Sequence, residues 1–314
     1  METNKLNDPI LIAAWPGMGH VAATACYYLI AKLQMEFRAE YATSELFDAD
    51  HVTVESGLVE PFRYPKNQMF AWQNPDAGGP DLMVFIGEAQ PPVGRYDFCR
   101  KLIDYAQREG VSKVFTFAAM ATASELLDES RVVGAATDTG TLDQFLESQI
   151  GLLQSGRISG MNGILLGVAA ERKMEGGCLL GEMPAMFSAV PYPKASIAVL
   201  NAFRRLTSIE VEMSQLTLEA ERMEAHLSSA VDQMKKLHHE NQEEDPLEED
   251  ETYLPDPMDN DKLSPDEKAT IESLFAQAEL DRTKAFELKQ ELDRLNVFRD
   301  YEDRFLDLFK DGGQ

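Results

Sequence analysis

From Leu206 onward, ten apolar residues recur in alternating steps of three and four: Leu206, Ile209, Met213, Leu216, Ala220, Met223, Leu227, Ala230, Met234 and Leu237. That spacing places all ten on one stripe of an α-helix and defines a coiled-coil-type seam. An unbroken helix over 206–240 would be roughly 50 Å long at 1.5 Å rise per residue. A stripe of that length has to be covered by something. Either a second copy of the chain covers it, most simply in a trimer, or another helix of the same chain does. The second helix is visible. Ser264 as N-cap, Pro265 in the first turn and Glu267 three residues on form a capping-box start. Ile271, Leu274, Ala278, Ala285, Leu288, Leu292 and Leu295 then continue the three-and-four spacing, with Asp281 as its flaw. After Leu295 the register slips, and Phe298, Tyr301, Phe305 and Leu308 form a separate aromatic stripe.

Residues 243–261 separate the two helices and hold ten acids and three prolines. Such a run repels itself and cannot form a core, so it reads as a linker. It allows the second helix to fold back on the first or to reach another subunit.

The first 205 residues have a different texture, with frequent glycine and short apolar runs. Ile10–Ala14, Leu82–Gly87, Lys113–Ala118, Arg131–Ala136 and Gly163–Ala169 read as strands. Val21–Leu33 and Tyr96–Arg108 read as helices, the latter stopped by Gly110. Glu55–Gly79, punctuated by Pro61, Pro65, Pro75 and Gly78, reads as loop or short edge strands. Strands alternating with helices predict an α/β sandwich around a buried sheet. The organisation expected is therefore an α/β domain over 1–205, a heptad helix over 206–240, an acidic linker over 241–263 and a C-terminal helix over 264–314.

Charge restricts the function classes. The 314 residues hold 29 Lys plus Arg against 54 Asp plus Glu, a net charge of −25. Phosphate-backbone binding needs clustered cations, so nucleic acid is not an expected partner, and neither is an anionic membrane surface. The sequence has no run of 18 apolar residues. Its first eight residues lack the basic-then-apolar pattern of a signal peptide. Cys26, Cys99 and Cys178 are far apart and odd in number, which predicts free thiols in a reducing cytosol, with no metal site.

Few motifs could carry chemistry. Gly17, Gly19 and Ala22 match Gly-x-Gly-x-x-Ala between a strand and a helix, with Glu40 as the acid expected about 20 residues on. Glycines there let backbone approach a phosphate, but a tight strand-to-helix turn needs the same residues. Asp138-Thr139-Gly140 resembles half of an aspartic-protease dyad, but only one such triplet is present and a dimer would have to supply the second, so ordinary turn chemistry is the reading preferred. Glu88 and Glu182 fall at strand ends, where α/β sheets place ligands. The five histidines lack His-Glu-x-x-His spacing, and neither a P-loop nor a Gly-x-Ser-x-Gly elbow is present. No catalytic residue and no cofactor is expected on these grounds.

Five segments in order resemble the proteasome assembly chaperone 2-like family of archaea and bacteria. They are Trp15-Pro16-Gly17-Met18-Gly19; Pro80-Asp81-Leu82-Met83-Val84-Phe85-Ile86-Gly87-Glu88-Ala89-Gln90-Pro91; Ala106–Val111 with the strand Val114–Phe117; Gly156–Gly167; and Leu179–Pro184 with Pro193-Lys194-Ala195. The resemblance covers about 8–205. It implies a three-layer α/β/α fold akin to nucleoside phosphorylases, a protein-binding role, and homotrimers. Relatives that engage the proteasome can end in a hydrophobic-Tyr-x motif, whereas this chain ends Lys310-Asp311-Gly312-Gly313-Gln314. The expectation is a non-enzymatic, cytoplasmic scaffold or assembly-chaperone-like protein with a protein partner. It would self-associate through Leu206, Ile209, Met213, Leu216, Met223, Leu227, Met234 and Leu237. The alternative is a small-molecule or nucleotide-binding enzyme using a strand-end pocket at Gly17, Gly19, Glu88, Gly160, Gly163 and Glu182.

Overall fold

The computed structural model describes residues 5–42, 44–48, 52–55, 57–76, 78–240, 263–295 and 297–309, with backbone alone at 55, 234–240, 265 and 299. The acidic stretch 243–261 and the chain end 310–314 lie outside the described residues.

The centre is an eight-stranded mixed sheet. Its strands are β1 (Ile10–Ala14), β2 (Glu36–Glu40), β5 (Asn67–Trp72), β6 (Leu82–Gly87), β7 (Lys113–Thr122), β8 (Val132–Ala136), β9 (Gly151–Leu152) and β10 (Glu175–Pro184), ordered β2-β5-β6-β1-β7-β10-β8-β9. β1 pairs in parallel with both β6 and β7. All five residues of β1 are buried. Ile12 and Ala14 belong to one hydrophobic layer, and Leu11, Ala13 and Trp15 to the other. That period-2 split of an all-apolar run marks a strand covered on both faces. One face carries α1 (Val21–Lys32) and α5 (Pro193–Thr207), along with Phe145 from α3 (Thr139–Glu147). The other carries α2 (Arg95–Arg108) and α4 (Gly160–Glu171). A two-residue ribbon, β3 (Val54–Glu55) with β4 (Leu58–Val59), stands apart from the sheet.

Four expectations are corrected. Gly163–Ala169 is not a strand but most of α4. Its buried residues Met161, Leu165, Val168 and Ala169 follow helical spacing, and a short apolar run does not distinguish the two states. Glu55–Gly79 contains a full strand, β5, which pairs with β2 and β6 inside the sheet. β10 is a further strand, ten residues in parallel register with β7. Its glycines hide it from propensity rules but let neighbours close in: a Cβ at Gly181 would stand 2.8 Å from the Ala195 carbonyl oxygen of α5.

The third correction concerns the seam. No single helix runs from Leu206 to Leu237. α5 ends at Thr207, Ser208 takes a left-handed conformation (φ 57°), and α6 (Ser214–Glu240) starts after a connection that buries Ile209 and Val211 in the core. The periodicity crosses this break because α5 and α6 turn their apolar stripes to the same core. Leu216 and Leu227 are buried there, and Leu206, Met213 and Met223 pack against it. The side chains of Met234 and Leu237 lie outside the described set.

The C-terminal region is likewise three helices instead of one: α7 (Pro265–Leu280), α8 (Ala285–Arg294) and α9 (Phe298–Asp307). The capping box at Ser264 and Glu267 is present. Asp281 ends α7, and its carboxylate accepts from the Thr283 amide at 3.0 Å, starting the turn into α8. Residues 263–309, here called the strap, pack in cis against α1 and α6. Phe275, Phe286, Phe305 and Phe309 join the same hydrophobic cluster as α1 and Leu216. Among the described residues, no helix is long and apolar enough to cross a membrane.

Candidate functional site

β1 and β6 are adjacent and parallel, so their C-terminal ends open on one edge of the sheet. Trp15-Pro16-Gly17 continues β1, and Glu88-Ala89-Gln90 continues β6. Gln90 joins the two elements to a third. Its Nε2 donates to the Pro16 carbonyl at 3.0 Å, and its Oε1 accepts from the Met161 amide in the first turn of α4 at 3.2 Å. Gly160 has φ +71°, and a Cβ there would stand 2.5 Å from that Gln90 oxygen. Gly163 lets the helix pass the preceding loop, because its Cβ would stand 1.8 Å from the Ile158 carbonyl oxygen. Gly163→Ala therefore forces backbone to move, and we expect a loss of about 1–3 kcal/mol. Gly167→Ala, in the same helix with open space around it, should be neutral or stabilising by up to about 1 kcal/mol. Thermal unfolding of the two variants compares them directly.

Gly19 serves packing of the same kind. It sits at φ +59° with the Met183 sulfur 2.6 Å from where its Cβ would be, and it exchanges backbone bonds with Ser188 and Tyr192. Gly17 and Gly160 thus meet the strand end of Glu88 through Gln90 on one rim, whereas Gly19 packs against Met183 and Gly163 against Ile158, and of these five only Glu88 lines the cleft. Glu182 does not join them. It lies on β10, two strands beyond β1, with its amide bonded to the Arg131 carbonyl at 2.8 Å. Glu40 is at the opposite side, on edge strand β2, with β5 and β6 between it and β1. At about 4.8 Å per strand spacing it is far from the Gly17 turn, which removes the acid of the dinucleotide pattern. Asp138 caps α3, accepting from the Thr141 amide at 2.8 Å and hydroxyl at 2.7 Å. Burial opposes its ionisation, but the bonds from Thr141 and Thr137 outweigh it and hold the carboxyl below its ordinary value. Asp138→Ala should cost about 1 kcal/mol in chemical denaturation, as the loss of an N-cap does.

The cleft between the strand ends and the strap encloses about 50 Å³. Small-molecule sites are typically about 300–1,000 Å³, and this cleft is largely filled from the strap side. Lys289 of α8 is 3% exposed; its ammonium pairs with Asp293 and lies 4.7 Å from the Phe298 ring centroid and 5.4 Å from that of Tyr27. The Tyr27 hydroxyl donates to Glu302 of α9. Burial and the neighbouring Glu302 charge push the Tyr27 phenol well above its ordinary value.

Glu88 is the sequence-predicted residue that the structure makes most unusual. It accepts from the Lys66 amide at 2.7 Å and from Arg63 at 2.6 Å, and Arg63 and Lys66 also grip Asp303 of α9, at 2.6 and 2.7 Å. Burial pushes the Glu88 carboxyl up to about 8, and the nearby Glu302 charge adds to this against the opposing Lys66 amide and Arg63. Burial also raises Glu302. Asp303 is held below its ordinary value. Burial resists this, and bonds from Lys66 and the Glu88 carboxyl outweigh it. Sequence reasoning found Glu88 but missed Tyr27, Arg63, Lys66, Lys289, Glu302 and Asp303. These come from separated elements, and no spacing rule joins them. Among the described residues, no group of three or more His, Cys, Asp or Glu could hold a metal ion.

Comparison with known proteins follows from this fold. An uncharacterised protein of Methanocaldococcus jannaschii is 27% identical over 256 residues, covering 79% of this chain and 93% of its own length. The crystal structure of Pyrococcus furiosus PbaB, an archaeal proteasome activator, matches with a TM-score of 0.63 and 27% identity, over 73% of this chain and 96% of that one. A Mycobacterium tuberculosis proteasome-assembly chaperone homologue has the same fold at 20% identity, with a TM-score of 0.61 over 70% of this chain and 94% of that one. The PAC2 family model matches residues 11–231, from β1 into the second half of α6. With the sheet order, the strand-end rim and most of the chain accounted for by that match, this chain belongs to the PAC2 family.

Proposed function

We propose that this protein is a non-enzymatic, assembly-chaperone-like scaffold that binds a protein partner in the cytoplasm and self-associates as a trimer. The observation that carries the reading is the likeness to an archaeal proteasome activator along 96% of that chain. A proteasome-type subunit is the partner class this favours. The strand-end edge supports a protein ligand over a small one. Its cleft is filled by the chain's own Lys289 and Phe298, while Met18, Leu127, Met186 and Val190 stand exposed on the surrounding loops. Those loops are tied together by backbone bonds from Gly19 to Ser188 and from Tyr192 to Gly19, and by the Tyr192 hydroxyl to the Leu126 carbonyl. Apolar side chains held on a braced rim are what a docking surface offers.

The seam as far as Leu227 is covered within the chain, so self-association is assigned to the far half of α6, carrying Met234 and Leu237. Light scattering should give three times the 35.1 kDa chain mass. Met234→Lys with Leu237→Lys should reduce this to a folded monomer. Pull-down of the tagged full chain from native cytosol should retain a stoichiometric protein. A compact monomer with no retained protein would sink the proposal.

A further inference from the structure

The strap lies beyond the family match, which ends at residue 231, and is joined to α6 through residues 241–262. Its last helix is bound to the domain in the manner of a ligand. α9 and the residues after it present Phe298, Phe305 and Phe309 on one side. Phe298 meets the Tyr27 ring at 5.0 Å and Phe305 meets it at 5.8 Å, both edge-on, and Phe309 meets Phe70 of β5 at 6.2 Å. The Phe309 carbonyl accepts from the Phe37 amide of β2 at 3.3 Å. Beside these anchors, Asp303 lies between the cations Arg63 and Lys66. The domain therefore supplies an aromatic floor and a basic rim, and α9 supplies aromatic anchors and an acid. This is the helix-in-groove mode of peptide recognition. The basic rim is notable in a chain of net charge −25.

We propose that the groove formed by Tyr27, Phe37 and Phe70 with Arg63 and Lys66 is a receptor for an acidic, aromatic amphipathic helix of a partner protein, and that α9 is its tethered occupant, which the partner displaces. The inference rests on the protein-binding reading above and adds the surface and the kind of partner segment it accepts. A tethered occupant competes at an effective concentration of order millimolar. The receptor is therefore masked until a partner presents a better helix or is held nearby by the strand-end rim. Closure also confines Glu88 and Glu302 together, and burial opposes their ionisation. That burden is relieved when α9 leaves.

The probe is a fluorescein-labelled peptide spanning residues 297–309, read by fluorescence polarisation against the full chain. Phe305→Ala in the full chain weakens the tethered competitor. This variant should bind the peptide at least tenfold more tightly than the unmodified chain does. A peptide carrying Asp303→Lys should lose at least tenfold in affinity for the variant. Absence of peptide binding to a folded Phe305→Ala chain overturns the proposal, and so does binding indifferent to Asp303→Lys. Should that variant fail to fold, hydrogen exchange on the unmodified chain decides. The amides of α9 should exchange by a local opening that leaves α1 protected. Exchange of α9 only together with α1 overturns the proposal. A retained partner in the pull-down together with no peptide binding would remove this groove while leaving the scaffold function standing.

Discussion

Replacing Lys289 with Ala should lower the unfolding free energy by about 3–5 kcal/mol, the usual consequence of leaving a buried charge uncompensated. Lys289 is 3% exposed and pairs with Asp293, itself almost buried. Its positive charge also favours ionisation of Glu219 and Glu302, whose carboxyls burial drives up. Removing the ammonium leaves three carboxylates in a poorly solvated pocket with one neighbour fewer. It also removes a cation from the faces of Phe298 and Tyr27, a contact worth about 1–2 kcal/mol when desolvated. Lys289→Met keeps most of the volume and loses the charge, so a comparable loss shows that electrostatics dominate. Adding Asp293→Asn to Lys289→Met should recover a substantial part, because the lost partner no longer leaves a charge behind. Urea unfolding of the single and double variants gives the coupling. A change below about 1 kcal/mol for Lys289→Ala would mean that the strap is not seated on the domain in solution.

The second large effect is on pH. Glu88 has a folded-state value of about 8, against roughly 4.3 for an exposed glutamate. Between those two values the folded chain binds more protons than the unfolded chain, so stability falls as pH rises through the window. The contribution is complete below about pH 4 and gone above about pH 8. Burial of Glu302 acts with the same sign. Each tenfold change in a proton-binding equilibrium is worth about 1.4 kcal/mol, so the combined change is on the order of several kcal/mol. The urea midpoint should therefore be higher at pH 5.5 than at pH 8.5. Glu88→Gln reproduces the neutral carboxyl and keeps an acceptor for the Lys66 amide. It should flatten this dependence and exceed the unmodified chain in stability at pH 8.5. A midpoint independent of pH in the unmodified chain would show that Glu88 is solvated and ionised, with the strap open.

Both effects depend on contacts that cross the whole sequence, and this separates what could be read in advance from what could not. β1 and β6 were legible residue for residue, because an all-apolar run bounded by Pro-Gly or Gly has few alternatives as short as five or six residues. The Ser264 start of α7 was legible because capping is local chemistry between residues three apart. Asp138 is local chemistry of the same kind: read as a turn acid, it caps α3 from three residues away. Gly163–Ala169 was misread because an apolar heptapeptide satisfies a buried strand and a buried helix equally, and only contact with α2 selects the helix. The seam from Leu206 was read as one helix because periodicity reports which face is buried and not whether the backbone is continuous. Ser208 turns the chain while both flanking stripes stay on the same core.

The sequence alone determined an α/β domain with apolar strands, a long amphipathic tail and an acidic segment between its helices, because those are set by composition and by periods of two and 3.6 residues. It did not determine where the tail goes. A stripe of apolar residues carries no address, and the aromatic faces of Tyr27, Phe37 and Phe70 become one surface only when β2 and β5 lie beside β6 in the finished sheet. Glu88 could be singled out as a carboxylate at a strand end. That it shares an ion-pair cluster with Arg63, Lys66 and Asp303 follows from the tertiary fold, which brings together residues up to 240 positions apart (from 63 to 303), and at that separation only packing, not local propensity, decides which charges meet.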